Sequence, residues 1–401
     1  MSLSFKSLAA AATVAGSILA QTAAAAGWNT YSQSMTAVYW GQNGAAQGGY
    51  VGKQKDLLST CNDTNVDIVV VSFVTAFKGK SNYPIINLSD QCGGYLPLAE
   101  DPKKKTMTDI LNCPDIGTKI TQCQALGKKI LLSLGGATYT APGWPDAASA
   151  RSSANEIWAM FGPYKNPPFK YRPFGNAVVD GFDLDFESLN NRPNTNVFAQ
   201  QLRGLFGQDK SRQYLLTAAP QCPQPDQTLD QALTAVAFDA VFIQFYNNAC
   251  QATSWGKGRA QTSNGAWNLQ MWQTWATTRS ANKGIKLFTG FLAGGVGKST
   301  GYVTKAVAQQ IVTDSKRFPN FGGASFWDSS ILNVNSAYLP GVRATLVANS
   351  NKKREVEVEE RSIRHPVGGP ATYAAHDFVE IKEPTRRRRH VHHRRITNVQ
   401  P

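Results

Sequence analysis

Between Gly27 and Ser350 the chain contains no histidine; the five in the sequence (His365, His376, His390, His392 and His393) all lie beyond Arg364. That absence removes Ser-His-Asp and Cys-His catalysis from the body, and His-ligated metal chemistry with them. Catalysis there must rest on carboxylates, tyrosines, lysines or backbone groups. No two cysteines stand in a C-x-x-C spacing, so no metal site is expected. No stretch reaches eighteen uninterrupted apolar residues, which argues against a helical membrane span. Neither a basic helix nor an aromatic–basic repeat is present, so nucleic acid is not an expected partner. There is no internal repeat.

The 401 residues that remain to be explained suffice for one large α/β-barrel domain or two ordinary ones. Residues 1–26 read as a signal peptide: Lys6 is the positive n-region, Leu8 to Ala20 the apolar h-region, and Ala23 to Ala26 offer a small-residue cleavage site. Export makes the six cysteines (Cys61, Cys92, Cys113, Cys123, Cys222 and Cys250) candidates for three disulfides, with fifteen pairings open. Asn62-Asp63-Thr64 and Asn87-Leu88-Ser89 are N-glycosylation acceptors. Composition breaks near Ala348. The segment 347–401 reads as a disordered basic tail, with Lys353-Arg354 as a processing point and four arginines from Arg386 to Arg389. From Lys352 onward it holds twelve Lys/Arg against seven Asp/Glu, part of a formal net charge of +14. That balance suits attraction to an anionic surface such as a cell wall.

Residues 27–346 then form one domain. Strand-like runs start at Ala37, Asp67, Lys129, Asp180, Tyr214, Asp239, Ile285 and Gly323. Most are near-continuously apolar, as strands covered on both faces are. Helical patterns fall between them, at about Lys53 to Leu58, Asp109 to Leu126, Ala148 to Phe161, Asn196 to Phe206, Trp267 to Arg279 and Val303 to Thr313. Eight strands alternating with helices predict a parallel (β/α)8 TIM barrel; a doubly wound open sheet is the runner-up. Barrel active sites lie at the C-terminal strand ends. Here those ends carry Trp40-Gly41-Gln42-Asn43, Ser133-Leu134-Gly135-Gly136, Asp185-Phe186-Glu187, Gln244-Phe245-Tyr246-Asn247-Asn248 and Trp327-Asp328.

The fourth strand, Asp180-Gly181-Phe182-Asp183-Leu184-Asp185-Phe186-Glu187, is the most informative. Its alternation puts Phe182, Leu184 and Phe186 on one face and Asp183, Asp185 and Glu187 on the other. Successive groups on one face stand about 6.5–7 Å apart along the backbone, so neighbouring carboxyls can bend together and share a proton. Without histidine, such a row suits glycosidic bond cleavage, where an acid must protonate the leaving oxygen. Glu187 at the rim is the candidate donor. Asp180 has the opposite parity and is expected to be structural.

The row resembles the D-G-x-D-x-D-x-E signature of the family 18 glycoside hydrolases, the chitinases, and Ser133-Leu134-Gly135-Gly136 resembles that family's S-x-G-G strand end. Tyr39-Trp40-Gly41-Gln42-Asn43-Gly44 and Gln244-Phe245-Tyr246-Asn247-Asn248 resemble its plant and fungal class III (hevamine-type) branch. The resemblance covers about Ala37 to Leu339. It implies a secreted endochitinase that needs no cofactor, a monomer that works with retention and without an enzyme nucleophile. Glu187 would be the acid/base, Asp185 would orient the substrate's 2-acetamido group with Asp183 as buried partner, and Tyr246 would bond the acetamide oxygen. Tyr39, Gly136, Ala137, Gln244, Asn247 and Trp327 would contact the sugar. The implied disulfides are Cys61–Cys123, Cys92–Cys113 and Cys222–Cys250, the loop of the second being longer than is usual in the branch. The competing readings are a non-catalytic carbohydrate-binding or inhibitor protein on the same fold and an endo-β-N-acetylglucosaminidase.

Overall fold

The computed structural model describes residues 28–348, apart from 102, 104 and 258–260. The expected leader, and the expected tail beyond Ala348, lie outside them. Eight parallel strands close on themselves: β1 (Met35–Trp40), β2 (Ile68–Ala76), β3 (Lys129–Gly135), β4 (Gly181–Asp185), β5 (Leu215–Ala218), β6 (Ala240–Gln244), β7 (Lys286–Leu292) and β8 (Phe321–Trp327). Each pairs in parallel with the next, and β8 returns to β1 with Met35 opposite Gly323.

Strand alternation divides the apolar core in two. Met35, Ala37 and Tyr39 of β1 point into the barrel, with Ile68, Val70, Leu131, Phe242 and Phe288. The intervening Val38, Trp40, Val69, Leu132, Phe182 and Leu184 face outward, into the larger layer beneath the helices. Both strand faces are therefore dry, which accounts for the near-continuous apolar runs. Among the described residues the helices that follow the strands are α1 (Leu57–Cys61), α2 (Pro114–Ala125), α3 (Ala147–Phe161), α4 (Thr195–Phe206), α5 (Asp230–Ala235), α6 (Leu269–Thr278), α7 (Lys305–Ser315) and α8 (Ser329–Val334), and residues 338–348 are helical as well. Side-chain caps start several of them. Asp146 accepts from Ser149 N at 2.7 Å to open α3, and Asp328 accepts from Ile331 N at 3.0 Å to open α8.

The structure corrects the sequence reading in places. The helix expected from Asp109 begins at Pro114, because Met107–Leu111 is a strand paired antiparallel with Tyr95–Pro97. Proline suits the first turn of a helix, where its missing N–H has no partner to lose. The polar stretch from Lys53 turns helical only at Leu57, and α5 and α8 are short helices not expected from the sequence. Three disulfides are present: Cys61–Cys123 joins α1 to α2, Cys92–Cys113 closes the hairpin that follows β2, and Cys222–Cys250 ties the loops after β5 and β6. Asn62 and Asn87 are both exposed. No helix among the described residues is long and apolar enough to cross a membrane.

Candidate active site

β4 carries the site because its inward face is acidic where those of the other strands are apolar or neutral polar. Asp183 is fully buried inside the barrel. Three hydroxyls from three other strands satisfy it: Thr217 Oγ1 of β5 donates to Oδ1 at 2.7 Å, and Ser133 Oγ of β3 and Tyr39 Oη of β1 donate to Oδ2 at 2.8 and 3.1 Å. Burial still pushes its carboxyl above the usual carboxylate range, with those hydrogen bonds opposing the rise.

One step outward, Asp185 is 4% exposed and accepts from Gln244 Nε2 at 2.9 Å. Burial raises its pKa strongly, and the charges of Glu187 and Asp183 add to the effect. Glu187 lies two residues beyond the strand, which ends at Asp185 rather than continuing through 187. The alternation persists past that end: Phe186 is 98% buried and packs edge-on against Phe77 and Trp144, which leaves Glu187 turned to the opposite, half-open side. Burial lifts the Glu187 carboxyl too, while the nearby amides of Gln244 and Gln221 hold it down in part and the charge of Asp226 raises it. The row therefore runs from a sealed, fully bonded acid to an accessible one.

The rim supplies the walls. Gly135 and Gly136, at φ +109° and +88°, end β3 in a left-handed turn. A Cβ on Gly135 would stand 2.5 Å from Asp185 O, and Gly136 N donates to that same oxygen at 2.8 Å, so glycine is what lets this end wrap the acidic strand. Trp327, at the end of β8, stacks on Phe73 with centroids 5.8 Å apart and 19° between planes, and tilts against Tyr39. Burial and the carboxylates raise the pKa of the Tyr246 phenol well above its ordinary value, so it stays protonated. Ala137 is exposed beside Gly136.

Two of the residues expected to contact the sugar also bond within the protein. Gln244 is 5% exposed, and its amide is committed to Asp185 and Ala219 O, so it supports the row from behind. Asn247, in the left-handed region, accepts from Thr300 N at 2.8 Å and staples the loop after β6 to the loop after β7. Sequence reasoning missed Thr217, Phe73, Gln221 and Asp226. Strand parity on β5 would have found Thr217; Phe73 lies within β2 where the register shifts between Ser72 and Val74, and Gln221 and Asp226 lie beyond the end of β5, where periodicity gives no signal.

A closed (β/α)8 barrel with a row of buried acids at its C-terminal mouth, aromatic walls and no histidine is the architecture of a barrel glycoside hydrolase. The chain belongs to family 18 of the glycosyl hydrolases: the family profile, "Glycosyl hydrolases family 18", matches residues 35–300. Endochitinase 33 of Trichoderma harzianum is 38% identical over 327 residues, which are 81% of this chain and 96% of that protein. A class III chitinase from Arthroderma benhamiae is 38% identical over 331 residues, 82% of this chain and 90% of that one. Among solved structures, the ICChI chitinase of Ipomoea carnea matches with a TM-score of 0.58 and 27% identity, over 78% of this chain and 99% of its own.

Proposed function

We propose that the protein is a secreted endochitinase that cleaves β-1,4-linked N-acetylglucosamine polymers with retention. The observation that carries this reading is the graded row Asp183–Asp185–Glu187 with Tyr246 and Trp327 beside it. Glu187 is accessible and burial raises its pKa, which favours the protonated acid that delivers a proton to the glycosidic oxygen as the bond to C1 breaks. No second carboxylate serves as nucleophile, since Asp183 is sealed and Asp185 is held by Gln244. The substrate's own acetamido oxygen attacks C1 and forms an oxazolinium ion. Asp185 accepts the acetamide N–H and balances the growing charge, and the Tyr246 hydroxyl, which has no partner among the described residues, bonds the acetamide oxygen. Water then opens the ring, giving its proton to the Glu187 carboxylate and restoring the acid. Trp327 and Tyr39 floor the reacting sugar, and Gly136 and Ala137 offer it backbone groups. Export, glycans at Asn62 and Asn87, a monomeric state and adhesion through the basic tail complete the reading.

Glu187→Gln tests it. Release of chito-oligosaccharides from colloidal chitin should fall by at least about a hundredfold, the ordinary contribution of a positioned acid, with binding kept. Wild-type rates in that variant would refute the assignment. NMR of the first products should show the β-anomer, and α-products would rule out participation by the acetamide.

A further inference from the structure

We propose that Gln221 is a positioning residue for Glu187: held by Asp226 on its backbone side and by Asn248 on its amide, it fixes the Glu187 carboxyl in place and governs when that carboxyl releases its proton. The inference rests on Glu187 being the acid of the proposed reaction.

Gln221 stands just past β5, in a stretch locked from several directions. Its backbone bridges Gln244 of β6, and Cys222 N donates to Gln244 O at 3.2 Å. Asn268 Nδ2 and Trp272 Nε1 both donate to Cys222 O, at 2.8 and 2.9 Å, and the Cys222–Cys250 disulfide ties this loop to the one carrying Asn248. The side chain points into the site. Nε2 donates to Glu187 Oε2 at 3.3 Å, while Oε1 accepts from Asn248 Nδ2 at 3.3 Å. The accepted bond fixes which end of the amide faces Glu187. Gln221 therefore presents a donor, and a donor favours the charged form of the carboxyl.

Asp226 acts in the opposite sense. It is 6% exposed and accepts from the backbone N–H groups of Gln221, Thr228 and Leu229 at 2.9, 2.9 and 2.6 Å. Burial pushes its own pKa up to about 6. Above that pH it is an anion behind Gln221, and its charge opposes ionisation of Glu187. The other groups facing Glu187 are Asp185 and Asp183 of β4, Gln244 of β6 and Tyr246 beyond it. None of these lies on the β5 loop, so the Gln221–Asp226 pair can be tested separately from them.

The test is the titration of the Glu187 carboxyl by 13C NMR in the unliganded protein, together with the pH profile of kcat/KM on N-acetylchitotetraose. Gln221→Met removes the donor and should move the Glu187 midpoint and the alkaline limb up by roughly one pH unit, the equivalent of one hydrogen bond to a charged group. Because the carboxyl also loses its anchor, kcat should fall about tenfold with little change in KM. Asn248→Ala frees the Gln221 amide and should shift the limb the same way by less. Asp226→Asn removes the opposing charge and should move it down. Opposite signs from Gln221→Met and Asp226→Asn support the proposal. An unmoved midpoint in Gln221→Met, or shifts of the same sign in both, overturns it. If Asp226→Asn does not fold, the order of the Gln221→Met and Asn248→Ala shifts decides. A wild-type protein that leaves N-acetylchitotetraose uncut would refute the chitin reading, and the NMR titration would still judge Gln221.

Discussion

Asp183 accepts three hydroxyl hydrogen bonds in a place that water does not reach, and the same burial raises the pKa of Asp185, Glu187 and Asp226. An acid whose folded pKa lies above its unfolded value contributes stability that is fully present below the unfolded pKa and lost as pH rises through the folded one. The site therefore weakens the fold between acid and neutral pH. Asp183→Asn keeps the shape, and the three hydroxyls can rotate to serve an amide, but the buried charge is gone. Urea unfolding should show a smaller loss of stability from pH 4.5 to pH 8 in this variant than in the wild type. Chitin hydrolysis should fall at the same time, because Asp185 loses its charged neighbour. A wild-type-like pH dependence would mean that Asp183 is not the strained group.

At the level of elements, β3 and β4 are fastened at both ends. Asp180 accepts from Ile130 N and Gln124 Nε2, both at 2.9 Å, at the start of the pair, with Lys129 and Arg212 near it. Gly136 closes the other end. Gly135→Ala would force a Cβ to within 2.5 Å of Asp185 O at φ +109°. It should cost roughly 1–3 kcal/mol of stability and pull Asp185 out of line, so that kcat falls more than KM changes; unaltered kinetics would show that the rim tolerates the shift. The eight barrel strands were legible because each is buried on both faces, and the acidic row because parity on β4 alone separates Asp183 and Asp185 from Phe182 and Leu184. Asp180 was legible in the same way. The hairpin at Tyr95–Pro97 and Met107–Leu111 was not, since its pairing depends on a disulfide and a distant partner rather than on local period. Gln221 and Asp226 sit in a loop, where no periodic signal marks a side chain as pointing into the site. The cysteine pairing could not be derived from spacing; only the family resemblance chose among fifteen.

Taken as a whole molecule, the barrel is closed by hydrogen bonds and stapled outside by disulfides that serve different ends. Cys61–Cys123 spans 62 residues and joins two helices on the outer layer, away from the acidic row. Cys222–Cys250 spans 28 residues and holds the loops that carry Gln221 and Asn248. Loop-closure entropy makes the longer span the larger stabiliser, about 4.3 kcal/mol against about 3.6. The catalytic consequences should run the other way. Cys61→Ser with Cys123→Ser should lower the urea midpoint more while leaving kcat per folded molecule close to wild type. Cys222→Ser with Cys250→Ser should lower the midpoint less, yet reduce kcat severalfold and move the alkaline limb of the pH profile upward, because Gln221 loses its rigid mount. Measuring both pairs at a urea-free condition where each is folded separates stability from catalysis. Equal losses of kcat in the two pairs would show that the β5–β6 loop staple is a stabiliser only, and that the geometry around Glu187 is set by the barrel without it.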